Sequence, residues 1–236
     1  MTKPDFIIIG AMKSATSTLH SQLALQSGIF MSTPKEPNYF SDDAQYAKGE
    51  QWYNGLFEQA ETNDICGESS THYTKLPDYP LTLERMSKRL NTIKLVYVMR
   101  HPIERLVSHY IHQWSQNEFK CDINEAIDIY QELTAYSSYA RQLQPYIDHY
   151  GRENVLIVFT ENIKHDPQAQ LSRVAKFIGY QGEMIWQPDI ASQNVSGERI
   201  RAFKGYHWIV ESNVMTFLRR VLVPRGIRNK IKSHLS

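Results

Sequence analysis

"PDFIIIGAMKSATSTLHSQL" (residues 4–23) sets a short β-branched run against Gly10, a Lys13-Ser14 pair three residues on, and small hydroxyl residues leading into a helical pattern. A strand that ends in glycine and opens into a helix is a phosphate-binding outline. The first N–H groups of the helix lack intrahelical partners, and the positive end of its dipole faces the loop. Lys13 adds a full charge, and Ser14, Thr16, Ser17 and Thr18 add hydroxyl donors. The same residues also suit ordinary helix capping beside a solvated lysine. The Walker A spacing of ATP-binding loops is not met: Met12 stands where a glycine must precede the lysine, and an isoleucine takes the place of the earlier glycine. An NTPase of the usual kind is therefore disfavoured.

Outward from this stretch, "KLVYVMR" (94–100) and "NVLIVFTEN" (154–162) are further apolar runs, and "DICGE" (64–68) is a shorter one. Like "FIIIG" (6–10), the two longer runs are apolar at nearly every position, the habit of strands covered on both faces. Helical patterns separate them: 16–27, with Leu19, Leu23 and Ile29 on one side, then 81–91, 102–114, 122–133, 137–151 with Pro145 inside, and 166–179 between Asp166 and Gly179. Strand and helix in alternation predict an α/β fold with a mostly parallel central sheet flanked by helices. Ligands in such sheets sit beyond the carboxyl ends of the strands, where Gly10 lies.

The 236 residues, with no repeat, low-complexity tract or linker, read as a single domain over 1–236 that ends in a basic amphipathic segment over 206–236. A net charge of +1 gives no broad basic field for nucleic acid, so any anion site is local. Cys66 and Cys121 fit neither a metal-binding nor a disulfide-framework spacing, which points to a reducing, cytoplasmic setting. The apolar run Phe6–Ile9 is too short for a signal peptide, and "VMTFLRRVLVP" (214–224) is broken by Arg219 and Arg220, so no transmembrane segment is expected. His109 and His112 have helical spacing but no evident third ligand, so no metal site is expected.

"GAMKSATSTL" (10–19) resembles the 5′-phosphosulfate loop of sulfotransferases that use 3′-phosphoadenosine 5′-phosphosulfate (PAPS). The small residue two beyond the lysine is usually Gly in that family and is Ala15 here. The resemblance demands an Arg ending a central strand and a Ser on the next helix, and "LVYVMRHPIERLVSHY" (95–110) supplies Arg100 and Ser108. "TPKEPNYFS" (33–41) is similar to the Lys-Glu-Pro segment of the heparan-type and bacterial members, and "GESSTHY" (67–73) to a Gly-Glu-x-Ser stretch in which relatives carry a lysine at the place of Ser69. "NVSGERIRAFKG" (194–205) resembles the loop that folds over the nucleotide.

This resemblance implies a P-loop-like sulfotransferase fold and transfer of a sulfuryl group from PAPS to a hydroxyl, or less readily an amine, by in-line displacement. The product nucleotide would be 3′-phosphoadenosine 5′-phosphate (PAP), and no metal is required. The resemblance makes Glu36 the general base, with His72 its rival, and Lys13 the stabiliser of the leaving oxygen. It places residues 13–18 (Lys13, Ser14, Ala15, Thr16, Ser17 and Thr18) at the phosphosulfate, Arg100 and Ser108 at the 3′-phosphate, and Arg199, with Arg201 and Lys204, in a closing loop. The acceptor would be a small molecule, lipid or carbohydrate. Tyr39, Phe40, Trp52, Tyr53 and Trp114 suit either an acceptor site or a core. Two alternatives stand beside this: a sulfotransferase-like nucleotide binder without transfer activity, for which Ala15 and Ser69 argue, and a P-loop nucleotide kinase.

Overall fold

The computed structural model of the chain describes residues 3–188. Its centre is a five-stranded, all-parallel sheet in the order β2-β3-β1-β4-β5. The strands are β1 (Phe6–Gly10), β2 (Ile29–Met31), β3 (Ile65–Ser69), β4 (Lys94–Met99) and β5 (Val155–Phe159). Between β1 and β2 runs α1 (Thr16–Ala24). The short helices α2 (Asp43–Tyr46) and α3 (Gly49–Gly55) precede β3, and α4 (Thr82–Arg89) precedes β4. After β4 come α5 (Pro102–Ser115), α6 (Ile123–Ile129), α7 (Glu132–Ala135) and α8 (Tyr139–Tyr150). α9 (Thr160–His165) and α10 (Pro167–Ile178) follow β5.

The chain forms two compact units. Within the described residues the first holds 3–106 and 131–188, which includes the whole sheet. Its strands bury side chains on both faces, as the unbroken apolar runs predict. Phe6 and Ile8 of β1 join Val96 and Val98 of β4 under Leu19 and Leu23 of α1 and Leu171 and Val174 of α10. Ile7 and Ile9 join Leu95 and Tyr97 on the opposite face, under Met86 of α4 and Leu143 and Tyr146 of α8. The second unit holds 107–130 of the described residues. There Phe119 stacks on Tyr130 at 3.8 Å, Tyr110 donates its hydroxyl to the Cys121 carbonyl at 2.9 Å, and Asp122 caps α6. Among the described residues no helix is long and apolar enough to cross a membrane.

Some expected boundaries shift. Ile29 begins the edge strand β2 and is not part of the helical face before it. β5 stops at Phe159 because Thr160 turns the chain into α9, its hydroxyl within hydrogen-bond distance of the Met99 and Ser14 carbonyls (2.9 and 3.0 Å). The pattern over 122–133 divides into α6 and α7, with Tyr130 leaving helical geometry between them. Pro145 is accommodated inside α8. Asp166 and Gly179 bound α10 as expected, the aspartate accepting from Ala169 N–H at 3.0 Å and the glycine adopting φ 86°.

Candidate functional site

The loop after β1 is built around a close approach. A Cβ at Gly10 would lie 2.1 Å from the Thr74 hydroxyl oxygen, and its φ of 154° is itself a conformation that favours glycine. Thr74 occupies that space and donates to the Ile9 carbonyl at 2.7 Å. Beyond Gly10, Lys13 (φ 67°) and Ala15 (φ 63°) both adopt left-handed backbone, while Ser14 between them does not. Such alternation makes a main-chain concavity that suits anions. Where the resemblance puts a glycine, Ala15 is left-handed, at a cost of roughly 1–2 kcal/mol for a residue with a Cβ.

Ala15 is the N-cap of α1. No side chain caps the helix, and no acidic residue lies in its first turn. Ser14 and Thr16 are buried, whereas Lys13, Ser17 and Thr18 are partly exposed. The Ser14 hydroxyl lies against the Tyr139 phenol at a geometry short of a hydrogen bond and has no other partner among the described residues. An uncapped helix start without carboxylates, an orphaned hydroxyl and a lysine together fit the phosphosulfate end of PAPS.

The segment 32–40 is stitched alongside the end of β3. Ser32 N–H donates to the Gly67 carbonyl (2.8 Å), Glu36 N–H to the Ser69 carbonyl (2.9 Å) and Asn38 N–H to the Ser70 hydroxyl (3.0 Å). Glu36, at φ 60°, has both carboxylate oxygens engaged. One pairs with the Lys35 ammonium; the other accepts from Thr71 N–H at 2.7 Å and the Thr71 hydroxyl at 3.1 Å. Its side chain remains 29% exposed, open enough to meet a substrate. Thr71 begins a single 3₁₀ turn, Thr71–Thr74, so the turn that holds Glu36 also packs on Gly10.

His72 stacks on Tyr79 with ring centroids 4.7 Å apart, and its Nδ1 is buried without a hydrogen bond among the described residues. Burial, then the nearby Lys75, push its imidazole down to about 4. Such a ring is neutral and a weak base.

Three groups beside these strand ends, His20 half-buried and Glu68 and Lys75 buried, had no role in the sequence reading. His20 of α1 has its Nδ1 2.8 Å from the Ser69 hydroxyl; burial and then Lys35 push it down to about 4. Glu68 is fully buried, accepting from Ser70 at 2.7 Å and from the Tyr53 hydroxyl, and burial raises its carboxyl above the usual range. Lys75 is the third, at the far end of the 3₁₀ turn. The "GESSTHY" stretch holds Glu68 and Ser69, but Tyr53 and His20, which meet them, come from other segments of the chain.

Arg100 follows β4 and pairs through Nε and Nη2 with one oxygen of Glu104 (3.0 and 2.9 Å). Tyr139 donates to its carbonyl at 2.7 Å. Glu104 is mostly exposed, so an incoming anion can compete for the guanidinium. Ser108 belongs to the second unit, where it is buried on α5. Tyr39, Phe40 and Tyr53 are core, with Tyr39 and Tyr53 stacked at 4.5 Å and Trp52 packed against them. Arg199, Arg201, Lys204 and the segment 206–236 lie outside the described residues.

The family model described as "Sulfotransferase domain" matches residues 3–222. Over 185 residues the chain is 29% identical to heparan sulfate glucosamine 3-O-sulfotransferase 3B1 of Mus musculus, a match covering 75% of this chain and 46% of that one. The chain thus spans about half the length of the curated relatives it matches first. Its fold is similar to that of a sulfotransferase from Alicyclobacillus acidocaldarius, with a TM-score of 0.69 and 22% identity over 80% of this chain and 86% of that one. A mouse sulfotransferase complexed with PAP aligns at a TM-score of 0.53 and 15% identity, over 94% of this chain and 90% of that one. These likenesses identify the α/β P-loop-like fold.

Proposed function

Because this chain belongs to the sulfotransferase domain family, we propose that it transfers a sulfuryl group from PAPS to an acceptor hydroxyl. The observation that carries the reading is the convergence at the carboxyl ends of the central strands β1 and β3. Lys13 and the uncapped start of α1 lie in the loop after Gly10, and Glu36 is held by the 3₁₀ turn that packs on Gly10. PAPS supplies the sulfuryl group, and its phosphate keeps the electron pair of the broken S–O bond. Glu36 exchanges Lys35 for the acceptor and takes the hydroxyl proton as the new O–S bond forms. Lys13 and the first N–H groups of α1 neutralise charge on the leaving phosphate. Arg100 exchanges Glu104 for the 3′-phosphate, a clamp suited to its planar fork. Ser108 and Arg199 enter the proposal through the resemblance alone.

The acceptor class is carbohydrate, lipid or small alcohol. The heparan sulfate sulfotransferases among the relatives favour carbohydrate. Cys66 and Cys121 are both free, which supports a cytoplasmic setting.

The test is thermal stabilisation by PAP, with AMP and Mg-ATP as controls. A ligand at a hundredfold excess over its Kd adds about 2.7 kcal/mol. Stabilisation confined to PAP is the expected result. A shift with Mg-ATP alone would point to a kinase, and no shift with any nucleotide would overturn the reading.

A further inference from the structure

Lys75 is 9% exposed, yet its ammonium makes no hydrogen bond or ion pair among the described residues. Its nearest recorded partner is the Tyr136 ring, with the centroid 5.8 Å away. A largely buried cation with no carboxylate in ion-pair contact among the described residues is costly to the fold, because the nearby charges of Glu36 and Asp78 repay its desolvation only in part. Its position is fixed on both sides. The 3₁₀ turn that it terminates begins at Thr71, which holds Glu36, and contains Thr74, which occupies the space beside Gly10 and bonds the Ile9 carbonyl. Lys75 therefore ends a turn that bridges the acceptor-activating carboxylate and the strand end carrying the phosphate loop.

The same strand ends lack a charge elsewhere. The resemblance puts a lysine at the position of Ser69, whose buried hydroxyl is instead taken up by His20.

We propose that Lys75 is a second catalytic cation of the transfer site, reaching the sulfuryl oxygens from the 3₁₀ turn and supplying the charge that Ser69 does not carry. In the transfer, the acceptor O–S bond forms while the S–O bond to phosphate breaks. Negative charge on the three sulfuryl oxygens then has a donor in Lys75, which keeps its own protons, while the acceptor proton passes to Glu36. The proposal rests on the sulfotransferase reading. It also accounts for the lack of an ion pair to this lysine among the described residues: a permanent carboxylate contact would cancel the charge the reaction needs.

The groups facing the amine are Glu36, Asp78 and Arg105, with His72 on the same turn and the Tyr136 ring above it. Burial outweighs the two carboxylates and pushes the Lys75 amine down to about 8.

The test is competitive acylation of lysine amines followed by mass spectrometry across pH, with PAPS and PAP as probes. The amine of Lys75 should titrate near 8 in the nucleotide-free chain. PAPS should slow its acylation at least tenfold, and PAP, which lacks the sulfuryl group, less than twofold. Lys75→Met should raise Tm at pH 7, lower kcat at least tenfold and change PAP affinity less than threefold; Lys75→Arg should restore part of kcat. Acylation equally indifferent to PAPS and PAP, or a Lys75→Met variant that loses Tm and keeps kcat within twofold, would overturn the assignment while leaving PAP binding intact. Failure of the native chain to bind PAP would overturn the sulfotransferase reading and the assignment together.

Discussion

Glu36 has one oxygen fixed and the other exchangeable. Thr71 grips one through two hydrogen bonds, whereas Lys35 is the neighbouring residue on a flexible stem and can swing away. Glu36→Gln keeps the shape and removes the base, so turnover should fall about a hundredfold or more while PAP affinity stays within a few-fold. Calorimetry beside steady-state kinetics would separate the two, and parallel losses would mean that Glu36 is structural. Arg100→Ala should weaken PAP by about 1.5–3 kcal/mol, the worth of a charged hydrogen bond, and leave AMP nearly unchanged. Equal weakening of both nucleotides would remove Arg100 from the 3′-phosphate. Ala15 offers a gain: Ala15→Gly relieves a left-handed alanine at the cost of some unfolded-state entropy, for a net stabilisation of up to about 1 kcal/mol, read as a higher Tm.

Among the elements, the decisive contact is the 3₁₀ turn on β1, and its fit depends on a missing Cβ. Gly10→Ala would drive a methyl into Thr74 and the Tyr97 ring, costing about 2–3 kcal/mol or more in urea unfolding. The elements also hide two neutral imidazoles, His20 and His72, each at about 4 against about 6.5 in the unfolded chain. Between those values the unfolded state binds the extra proton, so stability is present above pH 6.5 and drains away as pH falls toward 4. About 2 kcal/mol per ring is expected after allowing for solvent screening. A Tm-versus-pH profile that His20→Gln and His72→Gln do not flatten would contradict this. β1 and β4 were readable as apolar runs because both of their faces are covered. β2 was not, since three residues after Gly28 carry no period. The break at Tyr130 was equally silent, because neither proline nor glycine marks it.

Across the whole molecule, the central strands β1 and β4 carry the most completely buried residues of the sheet, and their amides should exchange slowest with deuterium. PAP should add protection to residues 11–18 if the phosphate loop is its site. The sequence displayed Lys13, Glu36 and Arg100 through local patterns: a loop before a helix, a Lys-Glu-Pro run, and an Arg closing a strand. It could not display the partners. Thr71 under Glu36, Ser69 beside His20, and the docking of the 3₁₀ turn on β1 through Thr74 and the Ile9 carbonyl arise from contacts between segments far apart along the chain. That separation also matters during synthesis. Phe6 finds its neighbours only at Gly67 and Lys94, so β1 lacks one of its two sheet partners until β4 has been made. Until β4 leaves the ribosome, "FIIIG" is an apolar segment of the nascent chain without its full complement of neighbours. The strand that launches the phosphate loop is thus also the part most exposed to mispairing and most in need of a chaperone.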